Sequence, residues 1–258
     1  MSTRNMVPII STLWNWINDA AKLIVPQRCA ICRRRLRKYE NHICIQCFTK
    51  LPLTHIKGVY GNKVEQIFWG QIPICRANAF MLYQPQSETS HIFFHLKYMH
   101  RPQIGDFFGE MMAQDLADTD FFDGIDAIIP LPLAKDRLRK RGYNQSEHLA
   151  IGVQHITHIP IDTSSVLRVI SNPTQTRLNA KERAENVKNI FALSPHHNLN
   201  GKHILLIDDI LTTGSTLLSC AKEIAKANNV KISILVLGLA KEHFAISRNF
   251  IKEENTIG

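Results

Sequence analysis

The stretch ILLIDDILTTGST, residues 204–216, decides the fold. Ile204 to Ile207 make a short apolar run of the kind that forms a parallel strand buried on both faces. Asp208 and Asp209 close that run. Beyond Thr216, Leu217, Leu218, Ala221, Ile224 and Ala225 recur at helical spacing. Strand, loop and helix in that order place the loop at a helix N-terminus, where unpaired N–H groups and the helix dipole hold a phosphate. Gly214 lets the backbone approach that phosphate, and Thr212, Thr213, Ser215 and Thr216 add hydroxyl donors. Two carboxylates beside the loop, both ionised at neutral pH, accept hydrogen bonds from a pair of vicinal hydroxyls. Phosphate on one side and diol on the other describe a ribose 5-phosphate. An ordinary helix cap needs no such concentration of acids and hydroxyls.

All 13 positions resemble the binding motif of the type I phosphoribosyltransferases for phosphoribosyl pyrophosphate (PRPP). The resemblance implies an α/β fold, a parallel sheet flanked by helices. It also implies that Asp208 and Asp209 hold the ribose hydroxyls and that residues 212–216 hold the 5′-phosphate.

The 258 residues are 45% hydrophobic and 21% charged, the composition of a globular protein. The net charge of +9 is unevenly placed: residues 1–77 carry twelve Lys/Arg against three Asp/Glu, and residues 78–258 balance. That asymmetry points to a polyanionic partner for the N-terminal part. We therefore expect a module over 1–76 (helix, cysteine knuckles and connector) and a phosphosugar domain over 77–258. No run approaches 18 apolar residues, so no transmembrane segment is expected. The first residues lack the pattern of a signal peptide, which predicts a cytoplasmic protein. In that compartment six cysteines stay reduced and favour a metal site over disulfides.

Residues 9–25 show an amphipathic pattern (Leu13, Trp14, Ile17, Ala20, Ala21, Ile24) that Pro26 stops. Then come Cys29, Cys32, Cys44 and Cys47, two CxxC pairs separated by eleven residues. Two such knuckles complete a tetrahedral four-thiolate site for structural Zn2+, with a redox pair as the rival reading. Arg33, Arg34, Arg35, Arg37 and Lys38 lie between the knuckles and could contact the phosphates of single-stranded DNA; a solvated charged face is the alternative. Tyr39 and Phe48 could stack on bases but are read rather as part of the knuckle's small core, and Cys75 and Cys220 as buried singletons.

Residues 50–78 read as an irregular connector and 77–84 as an edge strand. Helices are expected from Ser87 and over 101–118, a buried strand over 124–133, and a helix near 144–156. Between the last two, Lys135, Arg137, Arg139, Lys140 and Arg141 crowd a strand's carboxyl end, where α/β sheets bind ligands. Lys135, Arg137 and Arg141 are the candidates for holding a pyrophosphate. Lys97 and Arg101 read only as cations near a helix C-terminus. Residues 164–170 suggest a short strand. The polar stretch 172–191, with Gln175, Thr176, Arg177 and Arg183, reads as a lid or a solvent loop. Residues 231–240 give a further parallel strand.

Taken in order, the basic knuckle, LKYxxR from Leu96 to Arg101, RxxxRGxNQ from Arg137 to Gln145, and QTxLxxxxRxxN from Gln175 resemble the ComF/GntX family over nearly the full length. Arg177 stands where many members have glycine. The resemblance implies a zinc finger ahead of a phosphoribosyltransferase-like domain, PRPP with Mg2+, and a role in DNA uptake beside other uptake proteins at the inner face of the membrane. It names no acceptor base and no catalytic residue, so a salvage transferase without DNA contact is the alternative.

Overall fold

A computed structural model describes residues 27–169 and 190–241, and the chain divides into two compact units between Leu51 and Pro52. The amphipathic stretch 9–25, the lid residues Gln175, Thr176, Arg177 and Arg183, and the C-terminal tail lie outside the described residues.

In the first unit two tight turns are laced together. Arg28 bridges to Arg35, and the Ala30 N–H donates to His42 O at 2.8 Å. Ile45–Phe48 adds one helical turn. Its buried apolar side chains are Ala30, Ile31, Ile43 and Leu51 beside Cys29, Cys44 and Cys47. The cysteines are thus a large part of the core. Tyr39 is 91% exposed and Phe48 45%, so neither belongs to that core, contrary to expectation.

The second unit is built on β1 (Arg76–Tyr83), α1 (Ser90–Tyr98), α2 (Gln103–Asp115), β2 (Ala127–Pro130), α3 (Lys135–Arg141) and α4 (Gln145–Thr157). It continues with β3 (Val166–Arg168), β4 (Phe191–Leu193), β5 (His203–Leu211), α5 (Ser215–Ile224) and β6 (Lys231–Ala240). Four strands form a parallel sheet in the order β1-β6-β5-β2, and β3 and β4 form a separate antiparallel ribbon. The runs in β5 and β6 are apolar at consecutive positions because both faces are covered. One face of the sheet shares a core with Leu217, Cys220, Ala221 and Ile224 of α5. Among the described residues no helix is long and apolar enough to cross a membrane.

Three expectations change. First, β5 does not stop at the acids but runs through them to Leu211. Second, the cation run is a helix, α3, ended by Gly142 in the left-handed conformation (φ 77). Third, residues 52–75 are not a connector, so the boundary falls after Leu51 rather than after Arg76. Leu53 pairs antiparallel with Met81, Asn62 caps the turn Lys63–Gln66, and Val64 and Phe68 are fully buried. Cys220 is buried as expected, whereas Cys75 is exposed.

α2 and α4 cross in backbone contact. A Cβ on Gly152 would run into Asp106 O and lie 2.8 Å from Gly109 Cα, so only glycine permits the approach. His148 Nδ1 to Asp106 Oδ1 (2.7 Å) flanks the crossing and fixes its register. The crossing sets where α4 begins. Gly152→Ala should therefore cost about 1–3 kcal/mol through overpacking, measured by urea denaturation.

Candidate functional site

β5 carries two carboxylates to its carboxyl end, where an open parallel sheet leaves a crevice between its loops. Pro130 pairs with Ile207, so the loop after β2 starts beside the acids. Asn144 fastens α4 to that loop. Its Nδ2 donates to Leu131 O at 3.1 Å, and its Oδ1 accepts the Ser146 N–H at 3.2 Å as the helix cap. The cap places Ser146 so that its Oγ donates to Asp208 Oδ1 at 3.0 Å. The same carboxylate oxygen accepts the Asp209 N–H at 2.8 Å. From the last turn of α1, Lys97 Nζ lies 2.9 Å from Asp209 Oδ2.

These four side chains share a cavity of about 190 Å³ with Arg137, Arg141, Gln145, Arg168 and Thr216. Arg141 Nη1 donates to Gln145 Oε1 at 2.7 Å. Gln145 Nε2 is buried and has no protein partner, an amide donor left over for a ligand. Burial, with Arg137 beside it, lowers the Arg168 guanidinium below the usual arginine range, so a bound anion is favoured there. A smaller recess of about 30 Å³ adjoins, formed by Thr212, Gly214, Ser215 and Thr216 at the start of α5. Gly214 adopts φ 75 there, and the Thr213 and Ser215 hydroxyls lie 3.0 Å apart. Asp208 and Thr216 line both spaces, so the acids and the hydroxyl loop stand side by side.

The structure thus brings Asp208, Asp209, Arg137 and Arg141 together with the loop residues. Lys135 does not line that cavity; it borders an adjoining space of about 500 Å³ with Leu138 and Glu147, and the two spaces share Pro132, Leu133 and Arg168. Lys97 and Gln145 were marked only by the family resemblance, and Ser146 and Arg168 by nothing local.

Asp208 also departs from the expected fully ionised acceptor. Burial, followed by the neighbouring Asp209 charge, pushes its carboxyl from 3.8 up to about 7.

In the first unit, the Cys29, Cys32, Cys44 and Cys47 sulfurs all lie within 4.8 Å of one another. Cys32 Sγ and Cys44 Sγ are 3.7 Å apart, the spacing of two corners of a tetrahedron with metal–sulfur bonds of about 2.3 Å. The Ile31 and Cys44 N–H groups donate to Cys29 Sγ at 3.4 and 3.3 Å, as they would to a thiolate ligand. The four cysteines could therefore hold a metal such as zinc. Arg34 is turned inward, with Nη2 2.6 Å from Glu40 Oε1, while Arg33, Arg35, Arg37 and Lys38 are exposed.

A parallel sheet with paired acids at one strand end, beside a hydroxyl-rich helix start, defines a domain of the phosphoribosyltransferase class. The chain belongs to the phosphoribosyl transferase domain family, whose model matches residues 113–245. It is 28% identical over 212 residues to the DNA utilization protein YhgH of Shigella flexneri, covering 81% of this chain and 88% of that protein. Competence protein F of Haemophilus influenzae is 29% identical over 222 residues, with 83% and 84% covered. Competence protein ComFC of Bacillus subtilis is 24% identical over 214 residues, with 81% and 83% covered.

The Asp208 shift has a measurable sign. Between 3.8 and about 7 the folded state binds more protons than the unfolded one, so this group's contribution to stability falls as pH rises through that window. Asp208→Asn, which cannot ionise, should melt higher than the wild type at pH 8. The gap should close toward pH 4 in thermal scans.

Proposed function

We propose that the protein binds PRPP, or a related ribose 5-phosphate, in this pocket and works in DNA uptake, touching single-stranded DNA through its basic cysteine module. The observation that carries the first half is that Asp208 and Thr216 line both spaces, which sets the acids beside the hydroxyl loop. A ribose 5-phosphate suits that pairing. Its diol meets the acids, and its 5′-phosphate meets the N–H groups and hydroxyls at the start of α5. Arg137 and Arg141, with the Gln145 amide and Arg168, lie where a pyrophosphate on C1 needs donors. Mg2+ would be held chiefly by the ligand's own pyrophosphate oxygens and would neutralise their charge.

The second half rests on charge and on the relatives. Arg33, Arg35, Arg37 and Lys38 are exposed beside a bare Tyr39 ring, the cation-plus-aromatic combination that holds single strands without sequence preference. Relatives printed as a DNA utilization protein and as competence proteins point the same way. Zn2+ on the four cysteines is structural in this reading, since four thiolates leave no open position. Arg34 steadies the knuckle and does not contact DNA. A phosphosugar ligand suits the cytoplasmic location expected from the sequence.

Calorimetry with PRPP tests the pocket. Asp208→Asn with Asp209→Asn keeps the shape but removes charged acceptors, so binding should weaken by about two orders of magnitude. Unchanged affinity in the folded double variant refutes the assignment.

Replacing Arg33, Arg35, Arg37 and Lys38 by alanine should weaken single-stranded DNA binding in filter assays and flatten its salt dependence. Zinc removal should abolish the same binding while PRPP titration stays unchanged. A salvage transferase without DNA contact would show the PRPP result alone.

A further inference from the structure

We infer that Lys97 is a positioning residue of the phosphosugar site: a resident cation that holds Asp209 with one oxygen open to the ligand and stands in for a divalent metal at the paired acids. This inference builds on the proposed binding of a ribose 5-phosphate.

A count of hydrogen bonds carries it. Asp208 Oδ1 is taken by Ser146 Oγ at 3.0 Å and by the Asp209 N–H at 2.8 Å. Asp209 Oδ2 is taken by Lys97 Nζ at 2.9 Å. Among the described residues, Asp208 Oδ2 and Asp209 Oδ1 carry no protein hydrogen bond. One open oxygen on each acid is what a vicinal diol requires, hydroxyl by hydroxyl. Arg137, Arg141 and Arg168 line the same cavity, and Lys97 makes the 2.9 Å ion pair with Asp209.

The placement of Lys97 is built rather than incidental. Phe93, one turn earlier, packs edge-on against Tyr83 of β1 at 4.9 Å. Tyr143 OH donates to Leu96 O at 2.7 Å, which pins the residue before Lys97 to the loop that leads into α4. Lys97 and Ser146 therefore reach the acids from two helices tied to each other. An ammonium has three donors, so Lys97 can keep Asp209 and still donate to a bound hydroxyl oxygen. A divalent ion at the same place would do the first job only by taking up the open oxygens. A sugar phosphate without pyrophosphate then needs no metal, and Mg2+ serves the pyrophosphate alone.

The test uses the full chain with ribose 5-phosphate as probe. Affinity is measured by calorimetry in buffer freed of divalent cations and again with Mg2+. Mn2+ binding to the ligand-free protein is read by electron paramagnetic resonance. The wild type should bind ribose 5-phosphate equally in both buffers and take up no Mn2+ at the acids. Lys97→Met should lose about tenfold in affinity without Mg2+, the worth of one charged hydrogen bond, and regain it when Mg2+ is added. The same variant should acquire a Mn2+ site that is absent from Lys97→Met combined with Asp209→Asn. Lys97→Arg should keep most of the metal-free binding. A folded Lys97→Met matching the wild type in both measurements overturns the inference, as does a loss that Mg2+ does not restore. Should the wild type bind neither ribose 5-phosphate nor PRPP, the proposed function falls. The Mn2+ measurement then still decides the role of Lys97, because no gain in Lys97→Met refutes it.

Discussion

Two carboxylates on consecutive residues at the end of a buried strand are the constraint around which the second unit is arranged. Like charges so close, with little water around them, raise one another's cost of ionisation. The Asp208 carboxyl, pushed up to about 7, records that cost. Each neighbouring element offsets part of it: α1 through Lys97, α4 through Ser146, and β5 itself through the Asp209 N–H. The glycine crossing of α2 and α4 belongs to the same arrangement, since it fixes the start of the helix that presents Ser146.

The parts read correctly from sequence were those whose signal is local. The apolar runs gave the strands, a helix was expected near 144–156 where α4 lies, and the cysteine spacing gave a cluster whose sulfurs do meet. The failures also have local causes. Acids after an apolar run look like a strand end, yet β5 continues because Ile210 and Leu211 resume the pairing with Gly238 and Leu239. α3 was hidden because no residue in it is buried, so it has no apolar stripe to display. Residues 52–75 looked irregular for want of a regular element, but Val64, Phe68 and Ile72 recur every fourth position and enter the core. Lys97 could not be found from its own surroundings. At a helix end a cation has an ordinary local explanation, and its partner lies over a hundred residues away in the chain.

The first unit follows a different rule. Among its described residues, three of the seven buried apolar or sulfur side chains are cysteines, so burial there leans on the sulfurs. Arg34, indistinguishable in sequence from the arginines beside it, is set apart by its bond to Glu40, whose carboxylate also accepts the Arg37 and Ile45 N–H groups. One acid thus organises the loop between the knuckles and leaves the remaining cations facing solvent.

The two rims of the parallel sheet are both closed by short pieces of the chain itself. Leu53 lies antiparallel to Met81 along β1, with the Leu82 N–H donating to Pro52 O at 2.7 Å. On the far side Ile161 runs alongside Ile128, which exchanges backbone bonds with Pro160 and Asp162 at 2.8 Å each. Unpaired strand edges are where foreign strands add and where sheets polymerise. With both rims occupied, no visiting protein can extend this sheet without first displacing one of these segments. A partner that meets this four-stranded sheet must then recognise side chains rather than an open strand edge, a mode in which single surface substitutions can redirect partnership without touching the fold.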